Sequence, residues 1–88
     1  LHDALPIFKV ARQVALPAVY KGKKLEAGFR VDLLVEDELV VEIKAVELMN
    51  PVFTAQVMTY LKLSEKRLGF LINFNVPKIR EGIKRIVI

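Results

Sequence analysis

Hydrophobic and polar residues alternate along two short runs in the first half of the chain. The runs, residues 29–35 and 39–45, are rich in Val, Ile and Leu, and the acidic turn Glu36-Asp37-Glu38 separates them. Short apolar runs in which the hydrophobic positions recur every second residue are typical of β-strands. The pattern therefore predicts a β-hairpin with a three-residue turn.

The register of this hairpin follows from the same alternation. A slip of one residue would turn an apolar face outward, so the apolar pattern selects a single pairing. With a three-residue turn, the predicted pairs are Val35–Leu39, Leu33–Val41 and Val31–Ile43 on one face, and Asp32–Glu42 and Arg30–Lys44 on the other. The predicted register brings the carboxylates of Asp32 and Glu42 together.

The acidic pair has two interpretations, because like charges directly opposite on a sheet destabilise it. In the first, the charged face is exposed to solvent, as many strand faces are, and neighbouring basic residues neutralise the repulsion. In the second, a divalent cation lies between Asp32 and Glu42, since Mg²⁺ is held by one or two carboxylates together with waters and phosphate oxygens. Apolar Leu34 and Val40 on the same face favour the second interpretation.

The remaining pattern predicts one helix and further strands. Asn50 is the predicted N-cap of the helix, and Pro51 suits its first position. The predicted elements are a strand over residues 8–16 that can continue to 20, a turn over 21–24, a helix over 51–64, a strand over 67–74, one helical turn over 78–81 and an edge strand over 83–88. This order predicts an α/β (α+β) fold in which a three-stranded antiparallel meander precedes the helix and a mixed sheet of four or five strands forms.

Composition limits the class of protein. A chain of 88 residues suits one domain. No apolar run approaches the roughly 18 residues that a membrane span needs, and the absence of cysteine excludes disulfides and thiolate metal sites. No signal peptide is visible, so the cytoplasm is the expected location.

Basic residues exceed acidic ones by fourteen to ten, which gives a net charge of +4. Such a charge suits a polyanion such as nucleic acid, although lysine and arginine are also ordinary surface residues, and both interpretations are open. The basic residues form three groups, which are Lys21, Lys23 and Lys24; Lys62, Lys66 and Arg67; and Lys78, Arg80, Lys84 and Arg85.

The spacing of Asp32 and Glu42-Ile43-Lys44 resembles the motif of the PD-(D/E)XK nuclease superfamily, in which the Asp lies on one strand of a hairpin and the Glu-x-Lys on the next. The stretch Gln56-Val-Met-Thr-Tyr60 resembles the Gln-x-x-x-Tyr helix motif of RecB-like members. Residues 16–22, 69–77 and 82–87 resemble the small bacterial GxxExxR protein family of the same superfamily. The similarity covers about residues 9 to 88.

The resemblance implies a restriction-endonuclease-like core. This sequence departs from the family pattern in two respects. The family helix that carries Gly-x-x-Glu-x-x-Arg is missing, so we expect an N-terminally truncated member, with a foreign or disordered start over residues 1–7 and a single nuclease-like domain over 8–88. Phe53 stands where many relatives have His. Without the first helix one face of the sheet is uncovered, and a homodimer through that face is expected.

The resemblance also implies a nuclease that acts on nucleic acid, DNA more than RNA, with Mg²⁺ or Mn²⁺ as cofactor. The Glu of the missing helix would normally complete the metal shell, so weak metal binding and weak or absent turnover are expected for this chain. The implied roles are catalysis by Asp32, Glu42, Lys44 and Gln56, metal binding by Asp32, Glu42 and the Ile43 carbonyl, and substrate binding by Tyr60, Arg30 and Lys62. From the residues alone, Lys44 can equally be a solvated lysine, Gln56 a helix-surface residue and Tyr60 a half-buried core aromatic. The alternative function is a catalytically inactive nucleic-acid-binding or protein-interaction module of the same fold.

Overall fold

The structure is a computed structural model that describes residues 7–88, without the side chains of residues 25–27. Of the expected foreign start over residues 1–7, all but Ile7 lies outside the described residues. Within residues 7–88, no helix combines the length and the apolar character that a membrane span requires.

A five-stranded mixed sheet forms the body of the protein. Its strands, in both chain order and spatial order, are β1 (Val10–Tyr20), β2 (Lys23–Val35), β3 (Leu39–Lys44), β4 (Leu68–Asn73) and β5 (Ile83–Val87). Neighbours are antiparallel except β3 and β4, which are parallel because the helix α1 (Pro51–Ser64) crosses between them. A single 3₁₀ turn, Ile79–Gly82, precedes β5. The predicted mixed α/β (α+β) fold, with its antiparallel meander before the helix, is confirmed.

Helix α1 begins and ends where local sequence signals place it. The Asn50 side chain accepts a hydrogen bond from the Val52 backbone N–H at 2.9 Å, and Pro51 occupies the first helical position, where a missing N–H costs nothing. Glu65 adopts a left-handed conformation after the last turn, and the Lys66 N–H closes the end on the Leu61 carbonyl. The predicted N-cap is confirmed.

The helix packs on one face of the sheet, mainly against β1 and β4. A Cβ atom at Gly69 would lie 3.0 Å from Val57 Cγ1, so glycine permits the close approach of α1 to β4. The core beneath the helix is made of buried apolar residues, which are Leu16, Val31, Leu34, Val40, Val57, Leu61, Leu71 and Ile86.

The predicted pairing of β2 with β3 is confirmed near the hairpin turn, but it extends over fewer residues than predicted. Two predicted pairs, Val35–Leu39 and Leu33–Val41, are observed. The predicted ladder pairs Val31–Ile43, Asp32–Glu42 and Arg30–Lys44 lie beyond the last pair and do not form. The strands stop pairing there because side-chain carboxylates take the backbone N–H groups, as described below.

The prediction that side chains alternate strictly between the two faces of the sheet along β2 is also wrong at this point. Phe29 stacks on Tyr60 of α1, and Leu34, which pairs with Val40, lies on the same helix-facing side. Phe29 and Leu34 are five positions apart, and residues separated by an odd number would face opposite sides of a regular strand. Buried Val31 belongs to the same core as Leu34. The strand therefore changes face between Val31 and Leu34, and Asp32 lies at the change, without a ladder partner in β1 or β3.

Candidate active site

Asp32 and Glu42 are joined by two crossed hydrogen bonds where β2 and β3 stop pairing. The Asp32 backbone N–H donates to Glu42 Oε1 at 3.2 Å, and the Ile43 backbone N–H donates to Asp32 Oδ2 at 2.8 Å. Each carboxylate thus accepts a backbone donor that a regular ladder would have used. The two predicted carboxylates are brought together through side chains rather than as a cross-strand backbone pair.

Glu42 lies inside the protein, with 6% of its surface exposed. Burial raises the pKa of Glu42 to about 7, and the negative charge of nearby Asp32 also raises it. The Asp32 N–H and the Lys44 ammonium act in the opposite direction and do not cancel the shift. The interpretation of this face as fully solvated is wrong for Glu42, because the helix covers it.

Lys44 is half-buried and lies beside this pair without contacting it directly. Its Nζ atom lies 4.5 Å from the ring centroid of Phe53, in a cation–π contact. Within residues 7–88, the structure contains no ion pair between Lys44 and either carboxylate. The Phe53 ring therefore holds the ammonium group of Lys44 near Glu42.

Tyr60 reaches the same cluster from the helix. Burial raises the pKa of the Tyr60 hydroxyl, and the charges of Glu42 and Asp32 add to the shift, so the phenol faces the acidic pair. The amide of Gln56, one helical turn away, lies close enough to the hydroxyl to oppose the shift. Gln56 is exposed and Tyr60 is half-buried.

The Tyr60 ring is fixed by an aromatic partner that the sequence analysis did not single out. Phe29 of β2 stacks on it with ring centroids 4.4 Å apart and ring planes 5° from parallel. No pattern in the sequence indicates this contact, since 31 positions separate the two residues and only the packing of α1 against β2 joins them.

Gln13 is a second residue that the sequence analysis missed. Its φ angle is 48°, an uncommon value for a residue other than glycine, and its Nε2 atom donates to Asp32 Oδ1 at 3.3 Å. Its carbonyl oxygen accepts a hydrogen bond from Arg30 Nη1 at 2.6 Å. Backbone strain of this kind is common at functional sites, and here the strained residue links Arg30 to Asp32.

The structure does not bring every predicted residue to the cluster. Arg30 is exposed and is linked to Asp32 by the hydrogen bonds that each of them forms with Gln13. Lys62 lies two positions beyond Tyr60, which corresponds to a rotation of about 200° around the helix. Because buried Leu61 lies between them on the sheet side, Tyr60 and Lys62 occupy opposite flanks of α1.

The donor set at the carboxylates fits a hard divalent cation. The described part of the chain contains no group of three His, Cys, Asp or Glu side chains arranged for a metal. Two carboxylates, however, combine with the Ile43 carbonyl, which points toward β2 because the N–H of the same residue does. Oxygen ligands, few in number and completed by water, are what Mg²⁺ accepts. An acidic pair with one member buried and its pKa raised is also stabilised by a cation.

The chain matches a known protein family. The family model of the PD-(D/E)XK nuclease superfamily matches residues 5–86, nearly the whole chain. No curated protein and no solved structure matches the chain. The narrower resemblance to the GxxExxR protein family stays a prediction.

Proposed function

We propose that this chain, which belongs to the PD-(D/E)XK nuclease superfamily, hydrolyses phosphodiester bonds of nucleic acid at the site formed by Asp32, Glu42 and Lys44. The observation that carries the proposal is the pair of carboxylates, one of them buried, at the point where β2 and β3 stop pairing. Such a pair lowers stability unless a cation compensates it, so it is better explained as a functional site than as a structural one.

Mg²⁺ or Mn²⁺ is the proposed cofactor, with Asp32, Glu42 and the Ile43 carbonyl as its protein ligands. When bound, such an ion lowers the pKa of a coordinated water and offsets the charge of the phosphate. The hydrogen bonds from the Asp32 and Ile43 N–H groups hold the two carboxylates in place before the ion arrives. The site is therefore organised by the fold and does not depend on the metal for its shape.

Lys44 supplies the positive charge on the chain itself. Its ammonium group orients the attacking water or stabilises the negative charge that develops on the phosphate. The contact with the Phe53 ring limits where this flexible side chain can lie and leaves its N–H groups available to the substrate, because a cation–π contact uses none of them as hydrogen-bond donors to an acceptor atom.

Four other side chains form the proposed contacts with nucleic acid. The Gln56 amide is exposed beside the Tyr60 hydroxyl, and together they offer donors to a phosphate oxygen. Arg30 offers a guanidinium on the Asp32 side of the site, where it matches a phosphate with two parallel donors. Lys62, on the other flank of α1, is placed to contact nucleic acid only outside the cleavage site.

The test is a cleavage assay on the whole chain with supercoiled DNA, single-stranded DNA and RNA, with Mg²⁺ or Mn²⁺ and with chelator. We expect metal-dependent cleavage that Asp32→Asn abolishes. Glu38→Gln is the matched control, because Glu38 is an exposed carboxylate of the same hairpin. Cleavage that survives in Asp32→Asn would exclude this site.

The alternative function makes a different prediction in the same experiment. A folded wild-type chain that binds nucleic acid without cutting it under any of these conditions would identify the inactive binding module. A folded chain that neither binds nor cuts nucleic acid would favour the protein-interaction module.

A homodimer through the uncovered sheet face stays a prediction. The face opposite α1 carries exposed apolar side chains at Ile43, Ile83 and Val87, of which Val87 is 52% exposed. Sedimentation equilibrium of the wild-type chain and of Val87→Lys tests it, because a charge placed within an apolar dimer contact would shift the population to monomer. A monomeric wild type at high concentration would refute it.

A further inference from the structure

The strands β1 and β2 continue as a two-stranded arm beyond the carboxylates. β2 pairs with β3 only over Leu33–Val35, but it pairs with β1 over almost its whole length. The arm, residues 14–31, ends at the two-residue turn Lys21-Gly22. Both turn residues have positive φ angles, 49° and 77°, as a tight hairpin turn of type I′ requires.

The tip of the arm carries three lysines and an exposed aromatic ring. Lys21, Lys23 and Lys24 are all exposed, and Tyr20 is 58% exposed. Lys21 Nζ lies 5.4 Å from the centroid of the Tyr20 ring. The proposed catalytic site uses none of these residues, so the strongest local concentration of positive charge in the first half of the chain has no role in it.

The base of the arm is fixed to the helix that bears part of the active site. Phe29 stacks on Tyr60, and Leu16 of the opposite strand is buried in the core under α1. Gly28 keeps the two strands close, because a Cβ atom there would collide with the Leu16 carbonyl oxygen. The direction of the arm relative to Asp32 and Glu42 is therefore set by core packing.

The distance between the tip and the carboxylates has a clear upper limit. Lys23 and Asp32 are nine positions apart on one strand, which corresponds to at most about 30 Å of extended chain. A nucleic acid that reaches both points must keep its shape over this distance. Duplex DNA does so, since its persistence length is roughly 150 base pairs.

We propose that the arm holds duplex DNA by its phosphates about one helical turn away from the bond that is cut. This inference rests on the proposed nuclease function and names its substrate class. At about 3.4 Å per base pair, a duplex of roughly nine base pairs is long enough to contact both points. A two-stranded β-ribbon also fits the wide major groove of B-form DNA and not the deep, narrow one of double-stranded RNA.

The experiment compares two triple variants that remove the same charge from exposed positions. The arm variant is Lys21→Ala, Lys23→Ala and Lys24→Ala. The control variant is Lys78→Ala, Arg80→Ala and Arg85→Ala, three exposed positions of which Lys78 precedes the 3₁₀ turn, Arg80 lies in it and Arg85 lies in the edge strand β5. Binding of labelled DNA duplexes of 6, 9, 12 and 18 base pairs is measured by fluorescence anisotropy without divalent ions, so that no cleavage occurs.

We expect the arm variant to bind the long duplexes about 30-fold or more weakly at 0.1 M salt, because three phosphate contacts are lost. The slope of log affinity against log salt should fall by about 2 to 3, one counterion per lysine. The control variant should lose much less. Wild-type affinity should rise with duplex length up to roughly 9–12 base pairs, and the arm variant should bind long duplexes only as tightly as wild type binds the shortest.

Two results would overturn the proposal. Equal losses in both triple variants would mean that only the net charge matters. Equal or tighter binding of single-stranded DNA, lost in Tyr20→Ala, would mean that the tip stacks on bases and does not grip a duplex. Circular dichroism melts of all variants confirm that each is folded.

The failure of this proposal and the failure of the nuclease proposal are distinguishable. If the arm variant binds and cuts DNA as wild type does while Asp32→Asn cuts nothing, the arm has no such role and the nuclease assignment stands. If duplex binding depends on the arm but folded wild type never cuts, the nuclease assignment falls and the arm remains a DNA-binding element.

Discussion

The two ends of the β2–β3 hairpin carry the same kind of residue in opposite environments. At the turn, the three acidic residues 36–38 are exposed, and Asp37 forms an ion pair with Lys9 at 3.3 Å in which both side chains are about 70% exposed. At the other end, Glu42 is buried next to Asp32. Tyr60 of the helix α1 lies near both carboxylates at this second end.

This difference shows that burial, and not the mere presence of acidic residues, makes a carboxylate suited to bind a proton or a cation. Water stabilises the carboxylates at the turn, and their contacts contribute little to stability. Glu42 has lost most of its water, so its protonation and its interaction with a cation become coupled to folding. The following predictions test this contrast between the turn end and the buried end of the hairpin.

The largest effect is expected for Lys44→Ala in the cleavage reaction. We expect kcat to fall by about 10²–10³, because a positioned donor that stabilises transition-state charge is lost. The matched control is Lys66→Ala at the turn end, where Lys66 Nζ donates to the Asp37 carbonyl. Steady-state kinetics on a DNA substrate measure both, and a similar fall in the control would mean that lysine charge acts only through general attraction.

The next effect concerns the pH dependence of stability. The pKa of Glu42 is about 7 in the folded protein and 4.5 for a glutamate side chain free in water, so the folded state binds the proton more tightly than the unfolded state. The free energy of unfolding should therefore fall as pH rises from about 4.5 to 7, by up to about 3 kcal/mol, and stay level above that. Urea unfolding of the metal-free chain at several pH values measures it.

Substitution at each end of the hairpin separates this effect from general charge repulsion. Glu42→Gln should remove the loss and be more stable than wild type at pH 8, because the amide does not ionise. Glu38→Gln should keep the wild-type profile. A Glu42→Gln profile that still declines between pH 4.5 and 7 would place the titrating group elsewhere.

Metal binding should restore most of the free energy of unfolding that the chain loses when Glu42 ionises. Mn²⁺ at about 100 times its dissociation constant should stabilise the folded chain by about 2.7 kcal/mol at pH 8. Calorimetric titration should show binding that is lost in both Asp32→Ala and Glu42→Ala and retained in Glu36→Ala. Binding that disappears in Glu36→Ala instead would move the metal site to the turn.

The smallest effect is expected for the ion pair at the turn. Asp37→Asn should change the free energy of unfolding by less than about 0.5 kcal/mol, and added salt should remove even that difference, because exposed pairs are screened. Thermal melts at low and high salt measure it. A change of several kcal/mol would show that the turn end is not the weakly coupled region described here.

Most of the secondary structure was predictable because it depends on neighbours in the chain. The alternation of residues 29–45 predicted the hairpin turn and its first pairs, and Asn50 with Pro51 predicted the start of α1. Local rules of this kind need no knowledge of what packs above the strand. The pairing of Asp32 with Glu42 was likewise predictable as proximity, since both lie a fixed number of residues from the turn.

The sequence by itself thus determined the order of the strands and the helix, and the two carboxylates with a lysine that share one hairpin. Only the tertiary structure decided that β2 changes face at Asp32, that Glu42 is buried, and that Phe29 stacks on Tyr60. These features depend on the docking of α1 against strands that lie far from it in the chain. Long-range packing determines how much water surrounds a charged group, and the loss of water shifts the pKa of that group. The protonation of the acidic pair therefore could not be derived from the spacing of Asp32 and Glu42 alone.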